Sequence, residues 1–206
     1  MRILILILVS SYVLGSIPFG YLLVRIFRGE DVRRSGSGNI GATNVSRKSP
    51  TLGVLTLLLD AAKGWAAIAF ARHWSSFGEY ESRQHELLAA AALFAILGHM
   101  FPIWLKLRGG KGVATALGAF VSFEPLAVFL SFILFVMVLL VGRRISLGSL
   151  VTAALFPVLV WQFERETDIR VLAAIAAASA LVIVRHHKNI SRLFSGEEPR
   201  FSLGRK

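Results

Sequence analysis

The sequence predicts an all-α integral membrane protein with seven transmembrane helices, its N-terminus outside and its C-terminus in the cytoplasm. Three observations carry this: composition, the recurrence of apolar runs, and the distribution of charge. Of 206 residues, 55% are hydrophobic, and the mean hydropathy is +0.65. A soluble domain of this length needs more polar surface than that to stay dispersed. A bilayer removes the need and asks instead for apolar runs of about 20 residues. Such runs recur from end to end, so residues 1–206 read as one polytopic membrane domain.

Seven apolar segments can be drawn, at 3–24, 51–71, 87–105, 113–123, 126–142, 145–163 and 171–184. Five are near full length; 113–123 and 171–184 are short enough to fit re-entrant or partly buried pieces as well. Helix is the required secondary structure, because an open strand leaves amides unpaired in lipid and the runs lack the alternation of a barrel.

Direction follows from charge. With the N-terminus outside, the inner stretches 25–50, 106–112, 143–144 and 185–206 hold 17 of the 23 Lys and Arg. The outer ends carry Arg2, Arg72, Arg83, Arg165 and Arg170, and also Glu79, Glu81, Glu86, Glu124, Glu164, Glu166 and Asp168. This is the positive-inside asymmetry of membrane proteins. It supports 113–123 as a span, since 113–123 and 126–142 must return the chain as a pair for Arg143 and Arg144 to face inward. The first run does not read as a cleaved leader: only Arg2 precedes it, no small-x-small site follows, and Arg25, Arg28, Arg33 and Arg34 come directly after.

The same composition narrows function. There is no cysteine, which excludes disulfides, thiolate metal sites and a Cys nucleophile. The net charge of +11 belongs to the inner loops and not to a separate basic helix, so nucleic acid is not an expected partner. No His/Asp/Glu cluster has metal-ligand spacing, and no cofactor is expected.

The polar, Gly-rich stretches gather on the predicted inner side. They are Ser35-Gly36-Ser37-Gly38-Asn39-Ile40-Gly41-Ala42-Thr43-Asn44 followed by Arg47, then Gly109-Gly110-Lys111-Gly112, then Ser146-Leu147-Gly148-Ser149, and last His186-His187-Lys188-Asn189. The first three fall at or just before the expected N-termini of the second, fourth and sixth helices. Helix N-termini carry unpaired amides and a partial positive charge. Glycines let amides approach an anion, and Lys111 and Arg47 add full charges. The arrangement suits more than one phosphate.

Two soluble phosphate motifs fail. Gly36-x-Gly38-x-x-Gly41 lacks the strand and βαβ context of a dinucleotide site. Gly109–Gly112 lacks the Walker spacing and the hydroxyl after Lys111. Each stretch alone also has a plain reading, as turns for the glycines, helix caps for Ser146 and Ser149, and interfacial residues for His186 and His187. Asp60 and Lys63 sit three apart on one face within a span, either as a functional pair or as a structural lock. His99 reads as a packing or positioning residue, and Trp74, Trp104 and Trp161 as interface anchors. No carboxylate pair faces inward, and Glu30, Asp31, Glu197 and Glu198 lie in charged contexts that read as exposed. A site rich in donors and poor in bases stabilises a developing oxyanion better than it removes a proton, and so suits an already activated substrate.

Taken together and in order, the first stretch, Gly98-His99-Met100-Phe101-Pro102 with Leu107–Thr115, Ser146–Leu150 and Arg185–Ile190 resemble the signatures of the bacterial acyl-phosphate:glycerol-3-phosphate acyltransferase family, the PlsY family. The resemblance covers nearly the whole chain. It implies a seven-helix inner-membrane enzyme of phospholipid biosynthesis with its site on the cytoplasmic face. The donor would be acyl phosphate, the acceptor glycerol 3-phosphate and the product lysophosphatidic acid, with no cofactor, no obligate protein partner and membrane lipid around it. Carried over, Ser37, Arg47, Lys111, His186 and Asn189 would hold glycerol 3-phosphate, with Ser37, Lys111, His186 and Asn189 as the catalytic set. Thr43, Ser149 and the amides of Gly109, Gly110 and Gly112 would cradle acyl phosphate; Ser35, Gly36, Gly38, Asn39, Asn44 and Ser146 complete the substrate-binding set. Ser35 is the alternative to Ser37, and His187 the alternative to His186. The family implies substrate-assisted catalysis, the acceptor's own phosphate taking the hydroxyl proton. A transporter of a phosphorylated small molecule is the competing reading, but polar groups that hug one face and halves that do not match weigh against it. A partner-binding membrane protein would leave the motifs without purpose.

Overall fold

The structure, a computed structural model, describes residues 2–76, 78–163 and 168–201. Glu164, Arg165, Glu166, Arg205 and Lys206 of the charge pattern lie outside the described residues, as does the side chain of Glu79. No strand occurs among the described residues. The chain divides into two compact units, Met1–Phe123 and Glu124–Lys206.

In the first unit, the expected span 3–24 is two helices, α1 (Arg2–Gly15) and α2 (Phe19–Arg28). The break falls at Gly15–Pro18, where proline has no N–H to continue the ladder. The main chain partly closes the gap, with Ser16 N–H donating to Tyr12 O at 2.9 Å. The Ile17 carbonyl accepts from Lys63 Nζ at 2.7 Å. Irregular backbone at membrane depth persists only where such partners exist.

A short helix α3 (Ala42–Ser46) precedes α4 (Pro50–Ser75). Ser49 caps α4, its hydroxyl accepting from Leu52 N–H at 3.4 Å, and Pro50 occupies the first turn, where its missing N–H costs nothing. The first polar stretch therefore does not end on the N-terminus of the long span, as the sequence suggested. It leads into α3, and Ser49 and Pro50 set a separate start for α4.

Helix α5 (Gln84–Met100) packs against α1 and α4 through buried Ala89, Ala91, Ala92 and Ala95. Small side chains allow close approach where lipid supplies no hydrophobic drive. Tyr12 Oη donates to Phe101 O at 2.6 Å and ties α1 to the end of α5. Next comes α6 (Val113–Phe120), only 8 residues long, or about 12 Å against a hydrocarbon thickness of about 30 Å. It lies tightly on α4: a Cβ on Gly118 would stand 1.8 Å from Ala61 O, and one on Gly64 2.2 Å from Thr115 O.

In the second unit, α7 (Pro125–Gly142) and α8 (Ile145–Phe163) form a packed pair, and α9 (Ile169–Arg185) packs on α8. Only Ala127 and Val128 of α7 are buried. A bend of 57° at His186 separates α9 from α10 (His187–Phe194).

Five stretches are long and apolar enough to cross a bilayer: Arg2–Arg28, Pro50–Ser75, Tyr80–Leu105, Pro125–Gly142 and Ile145–Phe163. The bent pair α9–α10 makes a sixth when counted as one span. The expected seventh, 113–123, is the short α6, so the count among the described residues is five or six by length. The expected anchors Trp74, Trp104 and Trp161 are all exposed.

Candidate functional site

The first polar stretch is a loop wound around one buried side chain. Asn44 donates through Nδ2 to the carbonyls of Val32, Ser35 and Asn39, at 3.2, 3.1 and 2.8 Å, and its Oδ1 accepts from Ser37 N–H at 2.9 Å. Asn39 Oδ1 accepts from Gly41 N–H at 2.8 Å, a local turn of the kind Asn side chains favour. Both amides thus shape the loop from within. Gly36 is required twice over: its φ is +58°, and a Cβ there would stand 2.2 Å from Asn44 Oδ1. Beneath the loop, Val24, Val32, Ile40, Val45, Leu52 and Leu105 form one hydrophobic cluster. Leu105 lies four residues before Gly109, so this cluster brings the base of the second polar stretch to the first.

The cations of the loop divide by partner. Arg33 forms a fork with Asp31 at 2.7 Å, and its guanidinium lies 4.9 Å from the Tyr21 ring centroid. The hydrogen bond from Arg33 holds the Asp31 carboxyl down at about 2. Lys48 pairs with Glu30. Arg47 stays exposed, its Nη1 3.4 Å from where a Gly36 Cβ would stand. Ser37 and Thr43 are exposed, while half-buried Ser35 donates to Val32 O at 3.2 Å. The surface this loop offers an anion is therefore Ser37, Gly38, Thr43 and Arg47, with Ser35 turned inward. Asn44→Ala removes four hydrogen bonds; Val32 O and Ser35 O keep other donors, while Asn39 O and Ser37 N–H must find new partners. Binding of a phosphorylated ligand is expected to weaken about tenfold with the protein still folded, as measured by calorimetric titration beside a thermal melt.

After α5 the chain turns through Lys106 and Leu107, both with positive φ, and runs back along the helix end. Gly109 N–H donates to Met100 O at 3.1 Å and Gly110 N–H to His99 O at 3.0 Å. Gly112 then opens α6 in the left-handed region with φ +83°. Lys111 is half-buried between these fixed points.

In the second unit, Ser146 and Ser149 lie inside the first turns of α8 and do not cap it. Ser149 Oγ donates back to Ile145 O at 3.1 Å. Ser146 Oγ donates to Glu198 Oε1 at 2.6 Å, and Asn189 Nδ2 donates to the same oxygen at 2.6 Å. Arg192 Nε reaches Glu198 Oε2 at 2.7 Å. Glu198 is 8% exposed, which corrects its reading as a solvated carboxylate. Burial pushes its carboxyl up, but the bonds from Ser146, Asn189 and Arg192 outweigh that and hold it below the ordinary range. The sequence offered no signal for it, since Glu198 follows the last apolar run in a stretch without periodicity. The two histidines separate clearly: His186 is buried at the bend with Nδ1 2.7 Å from Val182 O, and His187 is exposed with Nδ1 3.1 Å from Val184 O. Asn189 N–H donates to His186 O at 2.8 Å, which fixes the spacing of that pair.

A multi-pass helical protein whose polar residues are Gly-bound amides, hydroxyls and cations defines a class: a membrane protein that handles phosphorylated substrates. The comparisons with known proteins make it particular. The family model for glycerol-3-phosphate acyltransferase matches residues 5–196. The glycerol-3-phosphate acyltransferase of Syntrophotalea carbinolica is 44% identical over 195 residues, covering 94% of this chain and 95% of the relative. That of Ehrlichia chaffeensis is 39% identical over 204 residues, covering 99% and 100%. Among solved structures, PlsY, an integral membrane glycerol 3-phosphate acyltransferase, in its glycerol 3-phosphate form superposes with a TM-score of 0.86 at 35% identity, covering 97% of this chain and 96% of that one. Its lysophosphatidic acid form gives 0.83 at 33% identity, covering 97% and 95%. The chain belongs to the glycerol-3-phosphate acyltransferase family of PlsY type, and is an integral, multi-pass membrane enzyme.

Proposed function

We propose that the chain transfers a fatty acyl group from acyl phosphate to the 1-position of glycerol 3-phosphate, releasing lysophosphatidic acid and phosphate for phospholipid biosynthesis. It works in the bacterial inner membrane as a seven-helix protein with the N-terminus outside, on the cytoplasmic face. Ser37, Arg47, Lys111, His186 and Asn189 contact glycerol 3-phosphate. Thr43, Ser149 and the amide of Gly112 contact the acyl phosphate, while the Gly109 and Gly110 amides, expected to join them, are committed to Met100 O and His99 O and hold the loop in place.

The observation that carries this reading is the Gly109–Gly112 loop. Hydrogen bonds to the end of α5 hold it against the start of α6, with Lys111 inside it. Such a loop binds a phosphate and steadies charge on the carbonyl under attack. No Asp or Glu occurs between Val32 and Leu59 or between Lys106 and Gly112. The carboxylate of Glu198 carries bonds from three donors and is a poor base in that state. As the family resemblance implies, the proton of the acceptor hydroxyl goes to the acceptor's own phosphate, and the acyl phosphate, already activated, needs no further acid to leave.

The test is donor choice. Purified protein is expected to make lysophosphatidic acid from acyl phosphate and glycerol 3-phosphate in the presence of a chelator, and none from acyl-CoA. Product from acyl-CoA alone would overturn the donor assignment.

A further inference from the structure

Three ionisable groups are buried in the first unit behind the phosphate loop. Asp60 is 2% exposed, Lys63 4% and His99 3%. Lys63 Nζ lies 2.8 Å from Asp60 Oδ1 and donates to the Ile17 carbonyl at 2.7 Å. On its other side, the same Asp60 oxygen faces His99 Nδ1 at 3.6 Å. The far edge of that imidazole meets the loop: a Cβ on Gly110 would stand 1.9 Å from His99 Nε2. The ring thus fills the place a side chain at Gly110 would take. The carbonyl of His99 also accepts from Gly110 N–H. One residue therefore fixes the loop by its ring and by its main chain.

We propose that Asp60 and His99 are positioning residues for the phosphate loop, with Lys63 anchoring Asp60 to the break between α1 and α2. What the loop binds rests on the acyltransferase reading above; how it is held does not. At 3.6 Å the Asp60 carboxylate draws the Nδ1 side of the imidazole toward itself by charge and leaves the Nε2 edge to back the loop. A buried charge left without its partner is strongly unfavourable, so the pair resists rearrangement. The ring then sets where the Gly110 amide points and, through it, where Lys111 sits.

Two pairs of substitutions test this. In the double variant D60N/K63M both charges are removed together, which avoids an unpaired charge in the interior. It is expected to elute and melt like the unsubstituted protein. The Gly109 and Gly110 amides should exchange with deuterium about tenfold faster, with helices α1 and α5 unchanged, and the KM for acyl phosphate should rise by about the same factor. In the second pair, G110A alone collides with the ring and loses activity. G110A/H99A makes room for the new methyl and should regain about tenfold over G110A. Unchanged exchange at 109–110 in D60N/K63M overturns the proposal, as does loosening spread evenly over the whole first unit. Exchange at 109–110 in H99A no faster than in the unsubstituted protein overturns it as well, and decides the matter if D60N/K63M does not fold. If the unsubstituted protein forms no lysophosphatidic acid, the acyltransferase reading fails; hydrogen exchange of D60N/K63M, and of G110A with and without H99A, then still judges the positioning claim.

Discussion

Lys111→Ala is expected to lower lysophosphatidic acid formation by about 10²-fold, because glycerol 3-phosphate loses the charge that holds it in place for attack. The loop around it survives, because its shape rests on Gly109 and Gly110 bonded to Met100 and His99 and not on the lysine side chain. What disappears is the only full positive charge between Gly109 and Gly112. The Gly112 amide at the start of α6 can still meet the donor's phosphate, so acyl phosphate binding weakens less than turnover. Lys111→Arg restores part of the loss at best, since a planar fork does not replace a compact ammonium between glycines. Rates at saturating acyl phosphate, beside a melting curve for each variant, measure this. A Lys111→Ala enzyme within about threefold of the unsubstituted rate removes Lys111 from the chemistry and with it the proposed use of the loop.

Glu198→Ala is expected to cost stability as well as activity. The substitution strips one carboxylate from Ser146, Asn189 and Arg192 at once. Charge-assisted hydrogen bonds contribute about 1.5–3 kcal/mol each, but Arg192 is partly exposed and finds water again. A net loss of about 3 kcal/mol is the reasonable scale. Activity falls further, because Asn189 loses the partner that orients its amide. Glu198→Gln keeps one acceptor and should fall between. The same carboxylate gives the enzyme an acid limit. Its folded pKa lies below its unfolded value of 4.5. The stability it supplies is therefore complete above that value and is lost as pH falls through the lower, folded one. Melting midpoints followed from neutral pH down through this window should drop for the unsubstituted protein and stay flatter for Glu198→Ala. Equal slopes for the two would show that Glu198 is not the titrating group.

Much of this was legible in the letters. Apolar runs and the bias of Lys and Arg place the long helices, because lipid leaves few alternatives for an uncharged stretch of that length. The four polar stretches stand out because polar residues and glycines are conspicuous in such a chain. What was not legible depends on contacts between distant residues. The break at Gly15–Pro18 is tolerated because Lys63, far along the chain, reaches the Ile17 carbonyl. Asn39 and Asn44 carry the right chemistry for substrate, but their amides serve the loop's own backbone. The choice of His186 over His187 as the enclosed histidine needs the bend between α9 and α10. Glu198 shows its role only once the chain after α10 folds back, where Phe201 N–H donates to Arg143 O at 2.6 Å.

Helix α7 buries almost nothing of itself beyond Ala127 and Val128. Its outward positions, Phe129, Phe132, Ile133, Met137 and Leu140 among them, answer to solvent preference and not to fit. Exchange among oily residues there should pass unnoticed, while a single acid or amine meets the cost of entering hydrocarbon. In this helix the spelling is free to drift as long as the oiliness is kept.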